Sequence, residues 1–135
     1  MAYKIIDIEG IGPVYAEKLI AAGINTPGEL LEKCAAPVGR KALAAETGIS
    51  SDLILTWTNH ADLFRIKGIG PQFAELLEAA GVDTVKELSK RVPENLQKKL
   101  EETNEVKHLT RRVPVLKEVK KMIDQAKALP PIMSY

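Results

Sequence analysis

The sequence predicts an all-α protein built from two copies of one helical unit, and three observations predict it. Residues 8–30 recur at 66–88, an offset of 58, with 14 of the 23 aligned positions identical. The helix-punctuating Gly10, Gly12, Pro13, Gly23 and Thr26 recur as Gly68, Gly70, Pro71, Gly81 and Thr84. Almost no strand signal interrupts them. The chain has 135 residues, 45% of them apolar and 27% charged, with a net charge of +1. That is about one domain's worth of chain, with enough apolar residues for a real core and no compositional sign of disorder.

Each element follows from its residues. Gly10-Ile11-Gly12-Pro13 reads as a tight turn, with both glycines expected at positive φ and Pro13 suited to the first helical position, where no amide hydrogen is needed. A helix then buries Ala16, Leu19 and Ile20 and stops at Gly23. Thr26 with Glu29, and Thr84 with Glu87, have the spacing of reciprocal capping boxes, and Pro27 supports the first of them. A further helix is expected over Gly39–Thr47, ending at Gly48. Ser50 or Ser51 would cap a longer one reaching Ile66, with Leu53, Trp57, Ala61 and Phe64 as its buried stripe. The last helix starts near Pro114 and presents Leu116, Val119, Met122, Ile123 and Ala126 to the core. Pro130-Pro131 ends it and leaves a short tail, expected to be loose. The unit ends echo each other as Trp57-Thr58-Asn59-His60-Ala61 and Met122-Ile123-Asp124-Gln125-Ala126, at an offset of 65. The second unit therefore holds seven extra residues, most simply near 101–112. The expected organisation is a unit at 1–58, a second at 59–129 and a tail at 130–135, packed as one compact structural domain.

Composition removes several function classes. The longest apolar runs, such as Leu53-Ile54-Leu55, fall far short of the roughly 20 residues that cross a bilayer, so no membrane partner is expected. The N-terminus has no basic segment followed by an apolar one, which reads as a cytoplasmic location. Cys34 is the only cysteine, so neither an internal disulfide nor a thiolate cluster can form. His60 and His108 lack a metal-like partner at i+4, no phosphate loop or dinucleotide fingerprint is present, and no carboxylate motif stands out. No catalytic residue, metal, cofactor or small-molecule substrate is expected. Trp57 and the other aromatics on apolar faces read as core rather than as a base-stacking platform.

The pattern from Ile8 to Leu19, repeated from Ile66 to Leu77, resembles the helix-hairpin-helix motif, and two copies in register make that resemblance specific. Residues 21–31 are also similar to a helical-hairpin region in the C-terminal domain of the RNA polymerase alpha chain. The whole sequence, including Ala61-Asp62-Leu63-Phe64-Arg65-Ile66, resembles a bacterial family of tandem helix-hairpin-helix domains of unknown function. The resemblance implies two tandem helix-hairpin-helix units of SAM-like helical hairpin fold. It also implies contact with nucleic-acid phosphates, through hairpin amides and the positive end of the following helix. The residues this singles out are Gly10, Ile11 and Gly12 in the first hairpin and Lys67, Gly68, Ile69 and Gly70 in the second. DNA-binding members place Lys or Arg just after the second glycine, whereas this chain has Pro13-Val14-Tyr15 and Pro71-Gln72-Phe73, with Glu17 and Glu75 a turn later.

Charge is uneven along the chain. Residues 1–58 hold five basic and seven acidic side chains, and residues 59–135 hold fourteen and eleven. The basic excess lies between Lys86 and Lys127 and includes Arg111-Arg112, which join the candidate binding residues. Two readings follow. One is a non-catalytic module that binds nucleic-acid backbone without sequence preference. The alternative is a protein-protein adaptor, better matched to the near-neutral charge and the acidic hairpin neighbours.

Overall fold

A computed structural model describes residues 3–135. Among these the chain is all-helical, with eight α-helices, a single 3₁₀ turn at Ile5–Asp7, and no strand. The helices are α1 (Pro13–Ala21), α2 (Pro27–Cys34), α3 (Pro37–Thr47), α4 (Ser51–Leu63), α5 (Pro71–Ala79), α6 (Val85–Ser89), α7 (Pro93–Lys107) and α8 (Leu116–Ala128). By contact the chain forms two units, one running to Asp62 and including Ile132–Tyr135, the other Leu63–Pro131. The division falls within α4, four residues beyond the position 58 that the repeat offset suggests.

Proline opens α1, α2, α3, α5 and α7, where its fixed φ fits and its missing donor is harmless. Thr26 and Thr84 cap α2 and α6, their hydroxyls accepting from Glu29 N at 3.1 Å and Glu87 N at 3.2 Å. The glutamate half of each expected box goes elsewhere. Glu29 accepts from Asn25 N at 3.0 Å, one residue before the cap. Glu87 is taken by the Arg91 guanidinium at 3.0 and 3.3 Å, a charge-assisted pair stronger than a bond to an amide.

In the first unit α3 packs on α2 and the 3₁₀ turn on α1, over a core that includes Leu19, Leu30, Cys34, Leu43, Ile54 and Trp57. Gly39 makes the α2–α3 approach possible: a Cβ there would lie 1.9 Å from the Lys33 carbonyl oxygen. On α4 Ile54 and every residue from Trp57 to Leu63 are buried, while Leu53 is 36% exposed. The expected stripe is thus one residue out of phase at its start, because two adjacent leucine-sized residues satisfy the helical period almost equally well. In the second unit α6 and α7 pack on α8, and α5 on α7. Its core runs from Leu63, Ile69 and Leu77 through Val85 and Leu100 to Val119 and Ile123. The seven extra residues lie where α7 runs on to Lys107 and an irregular segment leads to α8.

The tail is not loose. Ser134 N donates to Ala35 O at 2.8 Å, and the Tyr135 hydroxyl donates to Asn59 Oδ1 at 3.1 Å. The cause is Arg40, a buried cation in need of acceptors, whose Nη2 donates to Ser134 O at 2.8 Å.

Candidate functional site

The two glycine turns have the same backbone. Gly10 and Gly68 take φ of +93° and +99°, the left-handed region that favours glycine. The second glycine of each turn does not: Gly12 and Gly70 are extended helix N-caps with φ of −88° and −104°, a conformation open to any residue. The expected positive φ therefore holds for one glycine of each pair. Gly12 is not required by space either, since a Cβ there meets nothing within 4 Å.

This geometry sorts the candidate residues. The side chains of Ile11 and Ile69 are 5% and 2% exposed, and their amides already donate to Ile8 O and Ile66 O, each at 3.1 Å. They fasten the turns and have no donor left for a ligand. The donors that remain open are those of Gly10 and Gly68 within the turns and those of the cap and the first helical turn. Gly12, Val14 and Tyr15 in the first unit, and Gly70, Gln72 and Phe73 in the second, have amides with no acceptor among the described residues. Neither cap glycine has a side chain that could satisfy them.

The surroundings of the two turns differ. In the first unit Trp57 lies beneath Gly10, its Nε1 3.1 Å from where a Cβ would stand, and the Tyr15 ring meets the indole edge-on at a centroid distance of 5.1 Å. Glu9 and Val14 are exposed beside it, and Val14 retains 67% of its accessible surface. In the second unit Met122 takes the place of Trp57, with its Cε 3.9 Å from the Gly68 Cβ position. Gln125 clasps the turn in both directions, accepting from Lys67 N at 2.9 Å and donating to Lys67 O at 3.2 Å. A groove of about 350 Å³ runs between this turn and α8, lined by Lys67, Gly68, Glu118, Lys121, Met122 and Gln125.

Arg112 reaches the second turn from outside the repeated segment. Asn104 holds the loop after α7 by accepting from Thr110 N at 2.9 Å and donating to Thr110 O at 3.0 Å, while His108 makes the reversal at φ +52°. The Arg112 guanidinium then stands over the Phe73 ring, 5.4 Å from its centroid, at the first turn of α5. It also donates to both carboxylate oxygens of Glu118, at 2.6 and 2.9 Å. Arg112 and the Val115 amide together hold the Glu118 carboxyl down to about 2. Arg111 is exposed and has no partner among the described residues. The structure therefore gathers Lys67, Gly68, Gly70 and Arg112 at one end of the second unit, while the first turn gains no basic side chain from the candidates. Sequence reasoning counted Lys121 only within the basic excess and missed Glu118 and Gln125, for which the only available signal was the alignment of α8 with α4 at offset 65.

Cys34 is fully buried and burial raises its thiol pKa, and His60 is 2% exposed. No cluster of three metal-ligating side chains occurs among the described residues, nor any helix long and apolar enough to cross a membrane.

The chain belongs to the family described as a domain of unknown function, DUF4332, whose family model matches residues 9–129. No curated protein and no solved structure matches the chain.

Proposed function

We propose that this DUF4332 protein is a non-catalytic module of two helix-hairpin-helix units that binds nucleic-acid backbone without sequence preference, chiefly through the second hairpin. The observation that carries this reading is the open first turn of α5, where the Gly70, Gln72 and Phe73 amides lack acceptors while Arg112, Lys67 and Lys121 stand at or beside the same turn. A helix N-terminus favours an anion by about 0.3–1 kcal/mol. A few lysine and arginine contacts then give affinity in the range of non-specific DNA binding, a Kd of about 10⁻⁴–10⁻⁶ M at physiological salt. Glycine at the cap suits close approach by a phosphate, which a side chain would hold away. Such contacts position the duplex and read no bases.

Anisotropy titration of a labelled DNA duplex at stepwise salt concentrations tests this. With three cationic contacts, the plot of log K against log salt should fall with a slope of about −3. Lys121→Ala should flatten that slope by about one contact without moving the unfolding temperature. Affinity indifferent to salt would rule the reading out.

The adaptor reading draws on the first hairpin. There Val14 is 67% exposed beside the open amides, where an anion-binding turn would carry a cation. It expects a protein partner whose recovery survives nuclease treatment and is lost on Val14→Glu.

A further inference from the structure

The groove beside the second turn holds one carboxylate among its cations. Glu118, in the first turn of α8, lines it together with Lys67 and Lys121. The Arg112 guanidinium donates through Nη1 to Glu118 Oε1 at 2.6 Å and through Nη2 to Oε2 at 2.9 Å, and the Val115 amide donates to Oε1 at 3.1 Å. These bonds and the nearby Lys121 charge hold Glu118 ionised. The pair is open to water, since the side chains of Arg112 and Glu118 keep 61% and 35% of their accessible surface. A pair so exposed contributes little to stability. Its weight falls on the local field instead. Arg112, Lys67 and Lys121 bring three positive charges to this end of the unit, and Glu118 cancels one of them inside the groove. At offset 65 the first unit has Leu53 in the matching place, so the carboxylate is no part of the shared scaffold.

We propose that Glu118 is the affinity-limiting residue of the second turn, a fixed carboxylate that weakens the hold of the surrounding cations on a phosphate and keeps backbone binding readily reversible. This rests on the second turn being a phosphate site. The carboxylate need not leave Arg112 to act. Its charge opposes a phosphate from where it stands, and most strongly at low salt, where screening is weakest.

The test compares the full-length wild type with Glu118→Gln, which removes the charge at nearly constant size, and with Glu118→Lys, which reverses it. In anisotropy titrations of a labelled DNA duplex at about 50 mM salt, Glu118→Gln should bind about five-fold more tightly, the effect of roughly one unmasked cation, and Glu118→Lys more tightly still. Glu102→Gln, exposed on α7 and outside the groove, makes the same change in net charge and should alter binding less than two-fold. Circular dichroism reports the fold of each variant. Inorganic phosphate is the second probe, followed through the amide shifts of Gly70, Gln72 and Phe73, and its midpoint should fall in Glu118→Gln. If no chain binds the duplex but the phosphate midpoint falls, the nucleic-acid reading fails and the role of Glu118 stands. Duplex binding by the wild type that Glu118→Gln leaves unchanged or weakens, or that Glu102→Gln strengthens equally, keeps that reading and overturns the role of Glu118. No response to either probe in any chain overturns both.

Discussion

The two glycine turns share a backbone and differ in what they face. At the third helical position each carries an aromatic ring, but Tyr15 meets the edge of Trp57 whereas Phe73 lies under the guanidinium of Arg112. Beneath the positive-φ glycine stands an indole nitrogen at 3.1 Å in the first unit and a methionine methyl at 3.9 Å in the second. The first turn is thereby fastened into its own core, and the second opens onto a groove with lysines on its walls. The shared glycines set the turn, while its chemistry comes from Lys67, which stands where the first turn has Glu9, from the loop after α7 and from one face of α8.

The sharpest way to disrupt the first unit alone is Gly39→Ala. Helix propensity would favour alanine by about 1 kcal/mol. The new Cβ, however, falls 1.9 Å from the Lys33 carbonyl oxygen, so α3 must move off α2. Denaturant unfolding should register a net loss of about 2–4 kcal/mol. Asn95 is the third residue of α7, as Gly39 is of α3, and it is exposed. Asn95→Ala should stay within about 0.5 kcal/mol.

Next in size is the contrast among the turn glycines. Gly10→Ala meets both a left-handed φ and the Trp57 indole, so a loss of about 2–3 kcal/mol is expected. Gly68→Ala meets the same φ but an ordinary contact with Met122, and should lose about 1–2 kcal/mol. Gly12→Ser has neither problem and supplies a helix cap, so stability should hold or rise by up to about 1 kcal/mol. Equal losses for Gly10→Ala and Gly68→Ala would erase the distinction between a fastened turn and an open one.

A weaker effect concerns acid. The Glu118 carboxyl lies near 2 instead of its ordinary 4.5, chiefly because Arg112 hydrogen-bonds its ionised form. A depressed folded pKa contributes stability that is fully present above about 4.5 and fades as the pH falls through about 2. Carboxyl chemical shifts should place the Glu118 midpoint near 2, and Arg112→Ala should return it towards the ordinary range. An unchanged midpoint in that variant would detach Arg112 from the second turn.

What could be read from the sequence was local. Pro13 and Pro27 at helix starts, the threonine caps and the glycine that opens each turn follow from backbone preferences within a few residues and stand where the spacing put them. By contrast, α3 opens at Pro37 instead of Gly39 and α8 at Leu116 instead of Pro114. What escaped depends on partners distant in sequence. Arg40 reaches Ser134 across 94 positions, which turns a tail expected to be free into a seated one. Gln125 reaches Lys67 across 58, and no local pattern marks Gln125 for that role. Arg112 was legible as a basic residue but not as the partner of Glu118 and Phe73, because its position depends on how Asn104 folds the intervening loop. Ile11 and Ile69 belonged to the turns by sequence, yet their amides are used up within them.

A carboxylate placed at each cap separates the two turns outright. If the open end of α5 receives a backbone phosphate and the matching end of α1 does not, the repulsion falls on one variant only. Gly70→Glu and Gly12→Glu both sit on extended backbone, so neither forces a left-handed φ. In anisotropy titrations of a labelled duplex at low salt, with folding checked by circular dichroism, Gly70→Glu should weaken binding at least ten-fold. Gly12→Glu should change it less than two-fold. Equal effects of the two substitutions, or no binding by the wild type at micromolar protein, would contradict a phosphate site at the second turn.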